Sequence, residues 1–204
     1  MQTLRLKQID MQKAAGLLLA GEVVAFPTET VFGLGVVYDD ETAFQKLVNA
    51  KRRRGDKPFT LMCADPKDIA KYALIDEKAQ RLIDKFMPGP LTIIVPIKSF
   101  MPTWVSFSTG YVGVRISSLD FVRDLIRRVG KPLLVPSANH TDQAPALDDK
   151  TVLAIFDNEI SAVIEGRAIS AKPSTIVEIK DKIKLIREGE IPFDEIMKVY
   201  EGTL

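Results

Sequence analysis

Short apolar strand-like segments alternate with amphipathic helical ones along this chain, and that alternation restricts it to α/β folds more tightly than any other feature. Asp10 stands where a helix cap would, ahead of Met11, Ala14, Ala15, Leu18 and Leu19 at helical spacing, and Gly21 is placed to end that helix. Residues 22–26, with the β-branched pair Val23 and Val24 ahead of Pro27, read as a strand. Helical spacing returns over 41–50, where Ala43, Phe44, Leu47 and Val48 share a face, and again over 76–86 and 120–129. Between and after these helices, 59–63, 91–96, 112–116 and 132–136 read as strands, the second entered through the turn Pro88-Gly89-Pro90. The last third adds a helix near 149–156, strands at 162–165, 175–179 and 183–187, and a final helix carrying Phe193, Ile196, Met197 and Tyr200. Only 180–182 separates the last two strands, which fits a hairpin and so an antiparallel element in a mixed sheet.

One hydrophobic core can serve 204 residues, so a single domain over 1–204 is the expectation. Apolar types at 46% and charged types at 27% form an ordinary globular balance that argues against disorder and against a membrane protein. With 28 basic and 27 acidic residues the net charge of +1 supplies no global field for nucleic acid, so any polyanion site must be local. The single cysteine, Cys63, excludes an intramolecular disulfide and a multi-cysteine metal site and fits a reducing compartment. Residues 1–10 carry Arg5 and Lys7 but no signal-like apolar run, and nothing approaches the roughly 18 apolar residues of a spanning helix. A cytoplasmic chain without a membrane partner is expected.

Polar residues break the core pattern at strand ends in four stretches. Pro27-Thr28-Glu29-Thr30-Val31-Phe32-Gly33-Leu34-Gly35 follows a strand, and its glycines could simply permit a tight turn. Lys51-Arg52-Arg53-Arg54-Gly55-Asp56-Lys57-Pro58 is either a solvated cluster at a helix C-terminus or a phosphate grip, since arginine forks suit phosphate oxygens. Pro136-Ser137-Ala138-Asn139 could cap or turn the backbone, but Ser137 and Asn139, two apart in extended chain, point to one side and can share a ligand. It opens the longest irregular stretch, 137–148, and loops of that length inside a compact domain are often functional. Lys172-Pro173-Ser174-Thr175-Ile176-Val177, with Arg187 thirteen residues beyond Ser174, is hairpin chemistry or an anion site, and Arg115 is a salt-bridge partner or a ligand group. The lone histidine, His140, has no histidine or cysteine with which to build a metal or nucleophile constellation; no Walker loop or dinucleotide fingerprint is present.

Taken in order, these stretches with Pro88-Gly89-Pro90-Leu91-Thr92, Gly113-Val114-Arg115 and Arg187-Glu188-Gly189 resemble the YrdC family from Val23 to Gly189. The resemblance implies a twisted mixed α/β sheet with flanking helices around a large, positively charged concave cavity, and the short form of the family, without an extra C-terminal domain. It implies a nucleotidyltransferase that condenses L-threonine, bicarbonate and ATP into threonylcarbamoyl-AMP and pyrophosphate. A partner complex would then pass the threonylcarbamoyl group to tRNA. On this pattern Lys51, Arg53, Ser137, Asn139 and Arg187 would hold ATP, and Thr28, Thr30, Arg115 and Ser174 would surround threonine, with no protein nucleophile. Mg2+ would accompany the triphosphate, held mainly by phosphate oxygens. Family members often carry a histidine near the position of Met62; here the stretch from Lys57 to Cys63 is similar to the YciO branch instead. A YciO-like paralogue, or an RNA-binding protein using the basic cavity without this chemistry, are the alternative readings.

Overall fold

The computed structural model describes residues 2–52 and 58–203. Its elements run β1 (Leu4–Leu6), α1 (Met11–Leu19), β2 (Val24–Phe26), β3 (Gly33–Val37), α2 (Glu41–Ala50), β4 (Thr60–Met62), α3 (Pro66–Tyr72), α4 (Glu77–Phe86) and β5 (Leu91–Pro96). They continue through β6 (Tyr111–Arg115), α5 (Asp120–Val129), β7 (Leu133–Leu134), α6 (Asp149–Phe156), β8 (Ala162–Ile164), β9 (Thr175–Ile179), β10 (Ile183–Arg187) and α7 (Phe193–Glu201). The strands form one mixed sheet in the order β1-β8-β2-β3-β7-β4-β6-β5-β9-β10. Parallel pairs (β1/β8, β2/β8, β4/β6, β5/β9) and antiparallel ones share this sheet, as the mixed-sheet reading expects.

Strand side chains alternate between the sheet's two faces, and each face buries its own apolar cluster. Phe26, Met62, Leu133 and Ile164 pack with Leu18 of α1 and with Val122, Leu125 and Ile126 of α5. Ala25, Leu34, Leu61 and Val163 pack on the opposite side with Phe44 and Leu47 of α2 and with Phe156 of α6. Asp40, Asp76 and Asp148 cap α2, α4 and α6 by accepting from the amides of Ala43, Ala79 and Thr151 at 2.9, 2.7 and 2.8 Å.

Asp10, by contrast, makes no side-chain cap on α1. A 3-10 turn over Gln8–Asp10 precedes that helix, and the Asp10 carboxylate turns back to accept from the Lys7 amide at 2.9 Å. Gly21 does end the helix, at φ +75°. The two glycines after Pro27 correct the turn reading, because Gly33 and Gly35 lie within β3, paired antiparallel with β2. Close packing requires them. A Cβ on Gly35 would stand 2.5 Å from Phe26 Cε1, and one on Gly33 would stand 2.5 Å from Val135 Cγ1. Residues 27–32 are therefore the connection of a β2–β3 hairpin.

The β9–β10 hairpin forms as its spacing predicts, and its register shifts between Leu185 and Arg187. In a regular strand Ile186 and Arg187 would face opposite sides; here both line the same cavity. Gly189 lets the chain pass β9 closely, since a Cβ there would meet Pro173 O at 2.1 Å. Its amide donates to Thr175 Oγ1 at 2.9 Å, which locks the end of the Arg187-Glu188-Gly189 turn to the start of β9.

Candidate active site

A cavity of about 670 Å³ opens where the β2–β3 connection, the 137–145 loop and the β9–β10 hairpin converge, a size that suits a small-molecule substrate. Thr28, Thr30, Arg115, Ser137, Asn139, Ser174 and Arg187 all line it, so seven of the residues singled out in sequence meet at one place. Met62 lies on its wall as well.

The first wall is built on the hydroxyl of Thr28, which donates to Val31 O at 2.6 Å and accepts from the Thr30 and Val31 amides at 3.2 and 3.3 Å. This hydroxyl turn brings Thr30 Oγ1 within 3.0 Å of Thr28 Oγ1 and within reach of Arg115, whose Nη2 donates to it at 3.0 Å. Arg115 Nη2 also donates to Glu29 Oε1 at 2.6 Å, and its Nε donates to Gly89 O at 3.3 Å. The Arg115–Glu29 pair is buried, with 7% of each side chain exposed. Ser117 donates its hydroxyl to the other Glu29 oxygen. Burial pushes the Glu29 carboxyl up, but the Arg115 charge and the hydrogen bonds from Ser117 and Arg115 outweigh it and hold the group below its ordinary 4.5.

The opposite wall carries Arg187 at the end of β10. Its Nη2 and Nε donate to Ser174 O at 2.9 and 3.2 Å, and Nη2 reaches Ser174 Oγ at 3.3 Å. Ser174 Oγ in turn lies 3.0 Å from Thr92 Oγ1. Every one of these partners is neutral, and among the described residues no carboxylate pairs with Arg187. Much of the side chain meets solvent, yet its guanidinium is crowded enough that burial, and then repulsion from Arg115, push it below the usual arginine range. Two guanidinium groups that repel across a cavity form a receptor for negative charge.

The third wall is the loop after β7. Ser137 Oγ donates to Asn139 Oδ1 at 2.5 Å, while Asn139 Nδ2 donates to His140 O at 2.7 Å and Gln143 O at 3.0 Å. Lys51 lies behind this loop. Its buried ammonium donates to Ser137 O at 2.6 Å, to Asn139 O at 2.7 Å and to Asn139 Oδ1 at 3.2 Å. The loop returns the favour to the end of α2, because Thr141 N and Oγ1 donate to Lys51 O at 3.0 and 3.1 Å. His140 Nδ1 lies 3.1 Å from Ala50 O, with its ring edge-on to Phe156, a place that closes the helix end. Arg53 lies outside the described residues.

Sequence reasoning overlooked Glu29, Ser117 and Thr92, none of which touches the cavity, and Tyr111, Asp142, Glu178 and Lys180, which line it. Lys180 sits 4.6 Å above the Tyr111 ring and pairs with Glu178 at 2.9 Å, so the third cation that lines the cavity among the described residues is compensated. Its location on the short hairpin segment was visible, but nothing in the spacing marked it for a cavity. As for a metal, no group of three or more metal-ligating side chains stands together among the described residues. Asp142, the cavity carboxylate that no lysine or arginine engages among the described residues, could add one oxygen to an ion brought in by phosphates.

The family model for Sua5, YciO and YrdC proteins, described under telomere recombination, matches residues 16–189. A Methanocaldococcus jannaschii protein provisionally named threonylcarbamoyl-AMP synthase is 37% identical over 186 residues, covering 89% of this chain and 86% of its own. Pyrococcus abyssi threonylcarbamoyl-AMP synthase is 32% identical over 96% of this chain, which spans 58% of that relative. The crystal structure of P. abyssi Sua5 complexed with L-threonine superposes with a TM-score of 0.91 at 30% identity, over 98% of this chain and 61% of the other. E. coli YciO shares the fold at a TM-score of 0.88 and 22% identity, over 96% of this chain and 98% of the other. Family model, sequence identity and superposed fold agree: the chain belongs to the Sua5/YciO/YrdC family.

Proposed function

We propose that this chain is a threonylcarbamoyl-AMP synthase, and the observation that carries the reading is the pair of guanidinium groups, Arg115 and Arg187, facing one cavity lined by Thr28, Thr30, Ser174, Ser137 and Asn139. Support comes also from relatives of that name at 37% and 32% identity, against 22% for the YciO fold neighbour. The chemistry asks little of protein nucleophiles. Threonine's amine and bicarbonate form a carbamate with loss of water; a carbamate oxygen attacks the α-phosphorus, the bond to the β-phosphate bridge breaks, and pyrophosphate leaves. The protein's part is to orient three substrates and to offset their negative charge.

In this reading Arg115, with Thr28, Thr30 and Ser174, receives the threonine, and Arg187 receives a phosphate. Ser137 and Asn139 line the reacting α-phosphate and carbamate, with Lys51 fixing their loop from behind and Arg53 of the basic loop adding charge at the phosphates. Mg2+ would be carried by the triphosphate, with Asp142 as one available protein oxygen, and would offset phosphate charge. The product would pass to a complex that modifies tRNA. A cytoplasmic, single-domain enzyme fits the buried lone thiol of Cys63 and a chain in which, among the described residues, no helix is long and apolar enough to cross a membrane.

Pyrophosphate release from ATP tests the proposal directly. Release should require threonine and bicarbonate together, and serine, lacking one methyl group, should be about ten-fold poorer. Release indifferent to bicarbonate would remove the carbamate step. No release under any combination, with RNA retained by the purified protein, would favour a binding role instead.

A further inference from the structure

Glu29 never reaches the cavity, yet it holds Arg115, which does. Its Oε1 accepts from Arg115 Nη2 at 2.6 Å and its Oε2 accepts from the Ser117 hydroxyl. Ser117 Oγ itself accepts from the Leu119 amide at 3.2 Å, so its proton is committed to Glu29 and both carboxylate oxygens are fixed. The Glu29 carbonyl accepts from Ser170 N at 2.9 Å and so fastens the connection that leads to Ser174.

Arg115 has five N–H donors in one planar fork. Nε is occupied by Gly89 O and Nη2 by Glu29 and Thr30 Oγ1, while Nη1 has no hydrogen-bond partner among the described residues. Since Arg115 lines the cavity, Nη1 is the end left for a ligand. A guanidinium held only by Gly89 and Thr30 would be drawn toward any nearby carboxylate and away from Arg187, which repels it.

We propose that Glu29 is the positioning residue for Arg115: clamped by Ser117, it grips one edge of the guanidinium so that Nη1 is presented to the substrate's carboxylate. The inference rests on the reading of threonine as substrate. The Glu29 carboxylate acts through Arg115, and none of its hydrogen bonds reaches the phosphate wall.

Calorimetric titration of threonine, and separately of ATP, into the wild type, Glu29→Gln, Arg115→Ala and the double variant tests this. Gln keeps the volume of Glu29 but gives up the charge and offers Ser117 a donor where it met an acceptor. Glu29→Gln should weaken threonine about ten-fold or more, because a charge-assisted hydrogen bond loses its geometry, and should leave ATP within about two-fold. In the Arg115→Ala background the same change should cost threonine nothing further, the mark of a residue that works through its partner. Threonine affinity equal to wild type in a folded Glu29→Gln protein of lowered melting temperature would overturn the proposal and leave Glu29 a structural counter-ion. Should Glu29→Gln not fold, Ser117→Ala carries the test, with threonine weakened about two- to five-fold, ATP unaffected, and an unchanged threonine affinity again overturning it. A wild type that binds ATP but ignores threonine would instead strike down the functional reading, and the role of Nη1 with it.

Discussion

Arg115 and Arg187 face one cavity from different strands and are held in opposite electrostatic states. Arg115 is buried at the end of β6, ion-paired to Glu29 and braced by Gly89 and Thr30, so its position is determined before any ligand arrives. Arg187 sits on the bulged edge strand, touches the neutral Ser174, and is pushed down by burial and by Arg115. The difference teaches that one wall supplies geometry and the other supplies unspent charge. A compensated arginine suits a small zwitterion that must be oriented, and an uncompensated one suits a polyanion that brings its own counter-charge.

The largest expected effect breaks the first wall. Arg115→Ala leaves the Glu29 carboxylate buried without its partner, and removing one member of such a pair typically costs about 3–5 kcal/mol of stability. Urea titration should show this as a midpoint shift at unchanged slope. Equal stability losses for Arg115→Ala and Arg187→Ala would dissolve the contrast between the walls.

The 137–145 loop sharpens the comparison because it is preorganised like Arg115 and lines the same cavity, where the proposed function puts the reacting groups. Asn139→Ala removes the acceptor shared by Ser137 and Lys51 and both donors to the His140 and Gln143 carbonyls. Loss of alignment at that point should lower kcat/KM for pyrophosphate release about 10²-fold. An unchanged kcat/KM would assign the loop to folding alone.

Arg187→Ala comes next. Its effect should fall on ATP, weakened about ten-fold, with stability within about 0.5 kcal/mol of wild type, since no carboxylate is stranded among the described residues. A loss of threonine affinity with ATP untouched would exchange the two walls.

Much of this was legible in sequence, for reasons that differ between elements. Glu41–Ala50, Asp120–Val129 and Asp149–Phe156 match the helical spacing end to end, because one-sided burial imposes that spacing on the chain. β3 escaped notice since Gly-Leu-Gly reads as a turn, and only its pairing with β2 and β7 makes those residues a strand. β1 is three residues docked on β8 from the far end of the chain, and α3 is seven residues entered through Pro66, each too short for periodicity to register. At the site, strand-end hydroxyls and arginines gave the lining residues away. Glu29 did not stand out. Its meaning depends on Arg115 and Ser117, 86 and 88 residues distant, and no local spacing encodes that meeting.

The smallest effect concerns pH and isolates the Glu29–Arg115 pair from everything else. Glu29 is held below its ordinary 4.5, so between that value and its folded-state value the unfolded chain binds the proton that the folded chain refuses. The stabilisation is fully present above 4.5 and is lost as pH falls through the folded-state value. Its size is a remainder, because burial pushes against the attraction of Arg115, so this contribution is smaller than the cost of deleting a partner. Glu22, Asp65 and Asp148 are also held low by their own partners and give the whole protein an acid limb, which a single denaturation curve cannot apportion. The informative quantity is therefore the difference between wild type and Glu29→Gln. That difference should be constant from neutral pH down to about 5, with wild type the more stable, and should shrink below 4.5, where the unfolded chain's Glu29 takes up a proton that the folded one refuses, until the folded-state value is passed. A difference that stays constant to the foot of the acid limb would show that folding does not hold Glu29 below its ordinary value, and the compensated wall would lose its physical basis.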